Sequence, residues 1–94
     1  MFYSITVDKV LSKDNIIDIR SIEKYNDNHM PKAINIPMLL LIKFPSKYLD
    51  KNKTYYIYCQ RGINSKRVCN ELTKMGYNVV NIIGGYEAWI LKKA

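Results

Sequence analysis

The sequence predicts an α/β fold: a small, mainly parallel five-stranded sheet flanked by helices. Three observations carry this. Short β-branched runs alternate with stretches of helical periodicity, an order that calls for parallel strands joined by crossovers. The runs NIIDIR (15–20) and NVVNII (78–83) are apolar on both faces, as strands covered from both sides are. The chain of 94 residues, 48% hydrophobic and 24% charged, has the length and composition of one globular domain spanning 1–94, able to fold without a disulfide or a metal.

In chain order, FYSIT (Phe2 to Thr6) reads as a short strand leading into a helix around Val7 to Leu11. NIIDIR is a buried strand with a charged end. Ser21 then offers a helix N-cap, with Lys24 in place of the glutamate that would complete a capping box. KAINIP (Lys32 to Pro37) is a short strand stopped by proline. MLLLIKF packs as a helix against the sheet, and Pro45 to Lys53 reads as turn and loop. TYYIYC (Thr54 to Cys59) is the strongest strand. Behind it, Val68, Leu72 and Met75 recur at helical spacing in a helix from Ser65 to Met75, which Gly76 ends. NVVNII is the last strand, and Gly84-Gly85 turns into a final helix carrying Tyr86, Trp89 and Ile90.

The net charge of +7 comes mostly from single, scattered lysines, a solvated basic surface. A nucleic-acid surface would cluster its basic residues around aromatic platforms, and no such cluster occurs. MFYSITVDKV lacks the basic-then-apolar order of a signal peptide, and the longest apolar run, IPMLLLI, is far short of a membrane span. Cys59 and Cys69 are too few for a disulfide scaffold and too far apart for a CxxC pair. Free thiols in a reducing, cytoplasmic setting are therefore expected. No group of residues has metal-ligand spacing, and no cofactor is expected.

The stretch YYIYCQRGINSK (55–66) holds the chemistry. Ligands of open parallel sheets bind beyond the carboxyl ends of the strands, and Cys59 ends one. The loop Cys59-Gln60-Arg61-Gly62-Ile63-Asn64 runs from that strand to the helix starting near Ser65. A loop so short can turn its backbone N–H groups inward as an anion nest at the positive end of the helix dipole. Gly62 can take the left-handed conformation this needs, and Arg61 adds a positive charge nearby. Reactive cysteines in such settings ionise at about pH 3.5–7.5 rather than ~8.5, so Cys59 is expected to be largely thiolate at neutral pH.

These residues resemble a family. YIYCQRGINSKRVCNELTKMGYNVVNIIGGYEAW looks like the carboxyl-terminal half of a single-domain rhodanese, and NIIDIRSIEKYNDNHMPKAINIP resembles the family's L-I-D-V-R…E-Y…G-H-I-P-G-A-x-N-I-P segment. Asp18, Arg20, Glu23, Tyr25, His29, Pro31, Ala33, Asn35, Ile36 and Pro37 all fall in place. The resemblance runs from about Thr6 to Trp89 and implies the rhodanese-like three-layer fold. It also implies sulfurtransferase activity: Cys59 takes a sulfane sulfur from a small donor such as thiosulfate or a persulfide, and hands it to cyanide or a thiol. A protein thiol could serve as donor or acceptor. The loop Gln60, Arg61, Gly62, Ile63, Asn64 and Ser65 would bind substrate and steady the persulfide, with Ser65 capping the helix and Asp18 and Arg20 in support.

Three positions depart from the family pattern. Asn28 and Lys32 stand where glycine is usual, and a lysine with positive φ there would cost about 1–2 kcal/mol. Asn64 stands where many members carry arginine, which puts donor preference in doubt.

Other readings carry less weight. A cysteine phosphatase or arsenate reductase needs an arginine after five intervening residues, and Ser65 occupies that place while Arg67 falls two too late. A persulfide carrier that docks on partners without turnover needs the same loop, and the sequence does not separate it from an enzyme. Cys69, beside the apolar helical stripe, reads as core rather than as a resolving thiol. His29 reads as structural rather than as a base, and Gly84-Gly85 as simple turn geometry.

Overall fold

The computed structural model describes residues 1–94. Five strands form one sheet: β1 (Tyr3–Ile5), β2 (Ile16–Asp18), β3 (Ile34–Asn35), β4 (Thr54–Tyr58) and β5 (Asn78–Ile82), in the order β1-β5-β4-β2-β3. Every neighbouring pair is parallel, so each connection must cross over a face of the sheet. A 3-10 segment over Val7–Ser12 and four helices make those crossings, α1 (Ile22–Asp27), α2 (Met38–Lys43), α3 (Pro45–Tyr48) and α4 (Ile63–Lys74), while α5 (Gly85–Lys93) follows the last strand.

Alternation along the strands splits the interior into two halves. Ile17, Tyr55, Ile57, Cys59 and Val79 face Leu41 of α2 and Val68, Cys69 and Leu72 of α4. Ile16, Tyr58 and Ile82 face the other way, against Val10, Met30 and Trp89. Period-two side-chain geometry thus sends consecutive strand residues to different cores, and Cys59 falls on the α4 side.

The termini of the elements follow local chemistry. Ser21 Oγ accepts a hydrogen bond from the Lys24 N–H, capping α1 as its sequence position suggests. Gly76, at φ 95°, ends α4 with paired bonds from its own N–H to Thr73 O and from Tyr77 N–H to Leu72 O, the 5→2 and 6→1 closure of a Schellman motif.

Several boundaries differ from the sequence reading. Pro45 to Lys53 is not all turn and loop: Pro45 sits at the first position of α3, where its missing N–H costs nothing. Strand β3 shrinks to Ile34–Asn35. Helix α4 begins at Ile63 rather than Ser65, because Gly62 takes the N-cap in the left-handed region. Asn28 is extended at φ −169°, so glycine's freedom is not needed there.

Lys32 does adopt φ +66°. Its ammonium meets Asp14 at 3.3 Å, but both groups are exposed, and such pairs contribute little. Lys32→Gly is therefore expected to raise stability by about 1 kcal/mol, measurable as a higher urea midpoint with unchanged slope.

Candidate active site

Strand β4 delivers Cys59 to the carboxyl edge of the sheet, and α4 begins four residues later. Cys59 is 5% exposed. Its sulfur receives two backbone donors, Gly62 N–H at 3.1 Å and Ser65 N–H at 3.3 Å. Both belong to the N-terminal end of α4, whose unpaired N–H groups carry the positive end of the helix dipole. The nest is smaller than the sequence suggests: among the loop donors, these two reach the sulfur. Ser65 Oγ lies 3.5 Å from it and also contacts the Asn81 side-chain oxygen at 2.6 Å. Ser65 is thus not the cap of α4; its hydroxyl is fully buried against Cys59 and β5.

The remaining loop side chains turn elsewhere. Arg61 is 72% exposed and stands 4.0 Å from Glu87 of α5, so its full charge does not rest on the sulfur. Ile63 and Asn64 are exposed on the rim. Gln60 bridges two partners, accepting from Arg20 Nη1 at 3.2 Å and donating to Glu87 at 3.4 Å.

Asp18 and Arg20 form a buried ion pair at the end of β2 that reaches the cysteine loop. Asp18 is fully buried and accepts from Arg20 Nε and Nη2, from the Arg20 backbone N–H, and from Tyr58 OH at 2.7 Å. Burial works against the Arg20 charge, but the bonds to Asp18 outweigh it and hold the guanidinium above its ordinary pKa. Burial, with the Asp18 charge alongside, pushes the Tyr58 phenol well above its own. Arg20 then reaches the loop through Gln60, donates to Asn28 O at 2.7 Å, and stacks 4.3 Å above the Tyr86 ring. A buried carboxylate so fully satisfied serves as a rigid post for the loop.

The Gly84-Gly85 turn is more than turn geometry. Tyr86 N–H donates to Cys59 O at 2.9 Å, and Glu87 N–H to Gln60 O at 3.0 Å. A Cβ on Gly85 would lie 2.3 Å from Cys59 O, and one on Gly62 would lie 2.9 Å from Gly84 N. Main chain packs on main chain here, which only glycine permits. The double glycine in the sequence carries that signal, but its target becomes visible only in three dimensions.

His29 stacks on Tyr25, with ring centroids 4.0 Å apart, and its Nδ1 lies 2.9 Å from Met30 O. It braces the turn before β3. Cys69 is fully buried, and burial, with Cys59 beside it, pushes its thiol up to about 12.

A parallel five-stranded sheet with a cysteine nested between β4 and the α4 N-terminus is the arrangement the resemblance implies. The rhodanese-like domain family matches residues 6–92. This chain belongs to the rhodanese-like family. Thiosulfate sulfurtransferase GlpE of Coxiella burnetii is 35% identical over 75 residues, covering 79% of this chain and 69% of that protein. The putative sulfur carrier protein YrkF of Bacillus subtilis is 33% identical over 76 residues, covering 80% of this chain and 40% of its own. Among solved structures, SSP1007 of Staphylococcus saprophyticus superposes with a TM-score of 0.83 at 35% identity, over 94% of this chain and 93% of the other. Within this rhodanese-like domain, the residues that sequence reasoning passed over are Asn81, Tyr58 and Tyr86. No helix is long and apolar enough to cross a membrane.

Proposed function

We propose that this rhodanese-like domain is a sulfurtransferase that carries sulfane sulfur on Cys59. The observation that carries the reading is the pair of N–H donors from Gly62 and Ser65 converging on one sulfur. Such donors favour an anion at that atom over a neutral thiol. The Cys59 thiolate attacks the outer sulfur of thiosulfate; a new S–S bond forms, the old one breaks, and its electron pair leaves with sulfite. Cyanide or a thiolate then attacks the outer sulfur of the persulfide, and the Cys59 thiolate is released. Two half-reactions sharing one covalent intermediate give ping-pong kinetics. Gly62 and Ser65 hold the negative charge on the Cys59 sulfur when it is the attacking thiolate of the first half-reaction and the leaving thiolate of the second, in the manner of an oxyanion hole.

Arg61, exposed at the rim beside Glu87, draws anionic donors toward the loop rather than gripping them at the sulfur. Gln60 transmits the rigidity of the Asp18–Arg20 pair. The setting proposed is a reducing compartment with free thiols, and the domain has no need of a metal or cofactor for this chemistry.

Mass spectrometry after incubation with thiosulfate tests the reading. The expected result is a gain of one sulfur atom on the peptide containing Cys59, discharged by cyanide as thiocyanate over many cycles. The similarity to a putative sulfur carrier favours a second reading, in which the persulfide is handed only to a partner protein's thiol. A stable adduct that cyanide cannot discharge would select it. No adduct from thiosulfate or from a small persulfide would overturn both.

A further inference from the structure

Strand β5 reads Asn78-Val79-Val80-Asn81-Ile82, and Asn81 is fully buried on the α4 side. Its carboxamide oxygen meets Ser65 Oγ at 2.6 Å, while its Nδ2 has no protein acceptor within reach. A buried amide left half satisfied is costly, and a valine would fill a strand interior more cheaply. Ser65 Oγ is in turn 3.5 Å from the Cys59 sulfur.

Ser65 has a single hydroxyl proton. The 2.6 Å spacing is that of a hydroxyl donating to oxygen, so the proton is committed to Asn81 and Cys59 S–H donates to Ser65 Oγ. That order, S–H to Oγ–H to Oδ1, suits the neutral thiol. Once the sulfur is an anion, it can only accept a hydrogen bond and no longer donates one. Ser65 O–H then turns to the sulfur, and the Asn81 oxygen loses its donor. Half a turn about the Asn81 Cβ–Cγ bond exchanges oxygen and nitrogen within almost the same volume. Nδ2–H then donates to Ser65 Oγ, and Nδ2 gains the partner it lacks.

We propose that Asn81 is a positioning residue for the Cys59 sulfur, whose amide turns over when that sulfur becomes an anion and so fixes the Ser65 hydroxyl as its third donor. This rests on Cys59 being the sulfur-carrying nucleophile. The thiol's proton leaves to solvent, and no other bond changes. The anion-state relay is charge-assisted and therefore stronger than the neutral one, so losing Asn81 disfavours the thiolate. Other charged or titratable groups around the sulfur stand outside the relay. Arg61 and Glu87 face each other at the rim, Arg20 is taken up by Asp18, Lys66 and Arg67 of α4 are exposed, and Cys69 is held neutral by burial.

Side-chain amide NMR of the intact protein through the Cys59 titration tests this. The Gly62 N–H reports the sulfur's charge, and the Asn81 NH2 reports the turnover. Both are expected to move downfield with one midpoint, and in Ser65→Ala only the Gly62 signal moves. In parallel, Asn81→Leu raises the pH midpoint of Cys59 alkylation by about one pH unit, with no further rise in a Ser65→Ala background. An Asn81 signal that stays fixed while Gly62 titrates would overturn the proposal, as would an Asn81→Leu effect undiminished without Ser65. Should the amide turn over while no donor ever loads Cys59, the sulfurtransferase reading fails and the relay stands.

Discussion

On the proposed function, Cys59→Ser is expected to abolish sulfur transfer, lowering turnover about a thousandfold or more, as loss of a covalent nucleophile does. The hydroxyl is somewhat smaller than the thiol but can still accept from Gly62 and Ser65, so unfolding by urea moves little. It forms no persulfide, so the sulfur gain in the mass spectrum vanishes with the activity. Cys69 cannot take over. It is fully buried, with its thiol pushed up to about 12, and is therefore almost wholly protonated at neutral pH. Cys69→Ala keeps both the adduct and turnover, with a modest loss of stability from the smaller side chain. A persulfide that formed on Cys59→Ser, or vanished in Cys69→Ala, would assign the chemistry to the wrong thiol.

Gly85→Ala is expected to cost about 3 kcal/mol of stability and to depress activity beyond what the remaining folded fraction explains. Two terms add: a left-handed backbone at φ +61° and a methyl 2.3 Å from Cys59 O. The first is worth about 1–2 kcal/mol and the second, as overpacking, about 1–3 kcal/mol. Relief requires the turn and the loop to separate. That strains the bonds from Tyr86 and Glu87 to the carbonyls of Cys59 and Gln60, and shifts the backbone that aims Gly62 N–H at the sulfur. Gly76→Ala separates the two terms. Gly76 has φ +95°, but its added Cβ would meet only the end of the Lys51 side chain at 3.5 Å. It should lose about 1 kcal/mol and keep full activity per folded molecule. Equal losses in the two variants would mean that the close approach at Gly85 carries no functional weight.

Much of this was legible before any coordinates. Runs such as NIIDIR and TYYIY announce buried strands through β-branching and two-sided apolarity, and the Cys-x-x-Gly spacing at a strand end points to the thiol nest. The errors are physical. Ser65 resembles an N-cap in sequence, yet Gly62 takes that place because the chain must turn left-handed before the helix can begin. PSKY looks like loop because four residues hold too little periodicity to register, although proline at the first position suits a helix start. Asn81 is silent within VVNII, since one polar residue in a strand cannot say whether it faces solvent or a thiol. Gly84-Gly85 advertises a turn, while the backbone it approaches lies a quarter of the chain away in sequence.

The strand order has a kinetic consequence. β1 pairs with β5, so the first strand made finds its partner only when Asn78–Ile82 emerge. The carbonyls of Cys59 and Gln60 wait longer still, for Tyr86 and Glu87. A sheet whose first strand pairs with its last closes slowly, in about milliseconds to seconds for domains dominated by non-local contacts. During synthesis Cys59 therefore emerges before Tyr86 and Glu87, and its loop is held at both carbonyls only once the last helix docks.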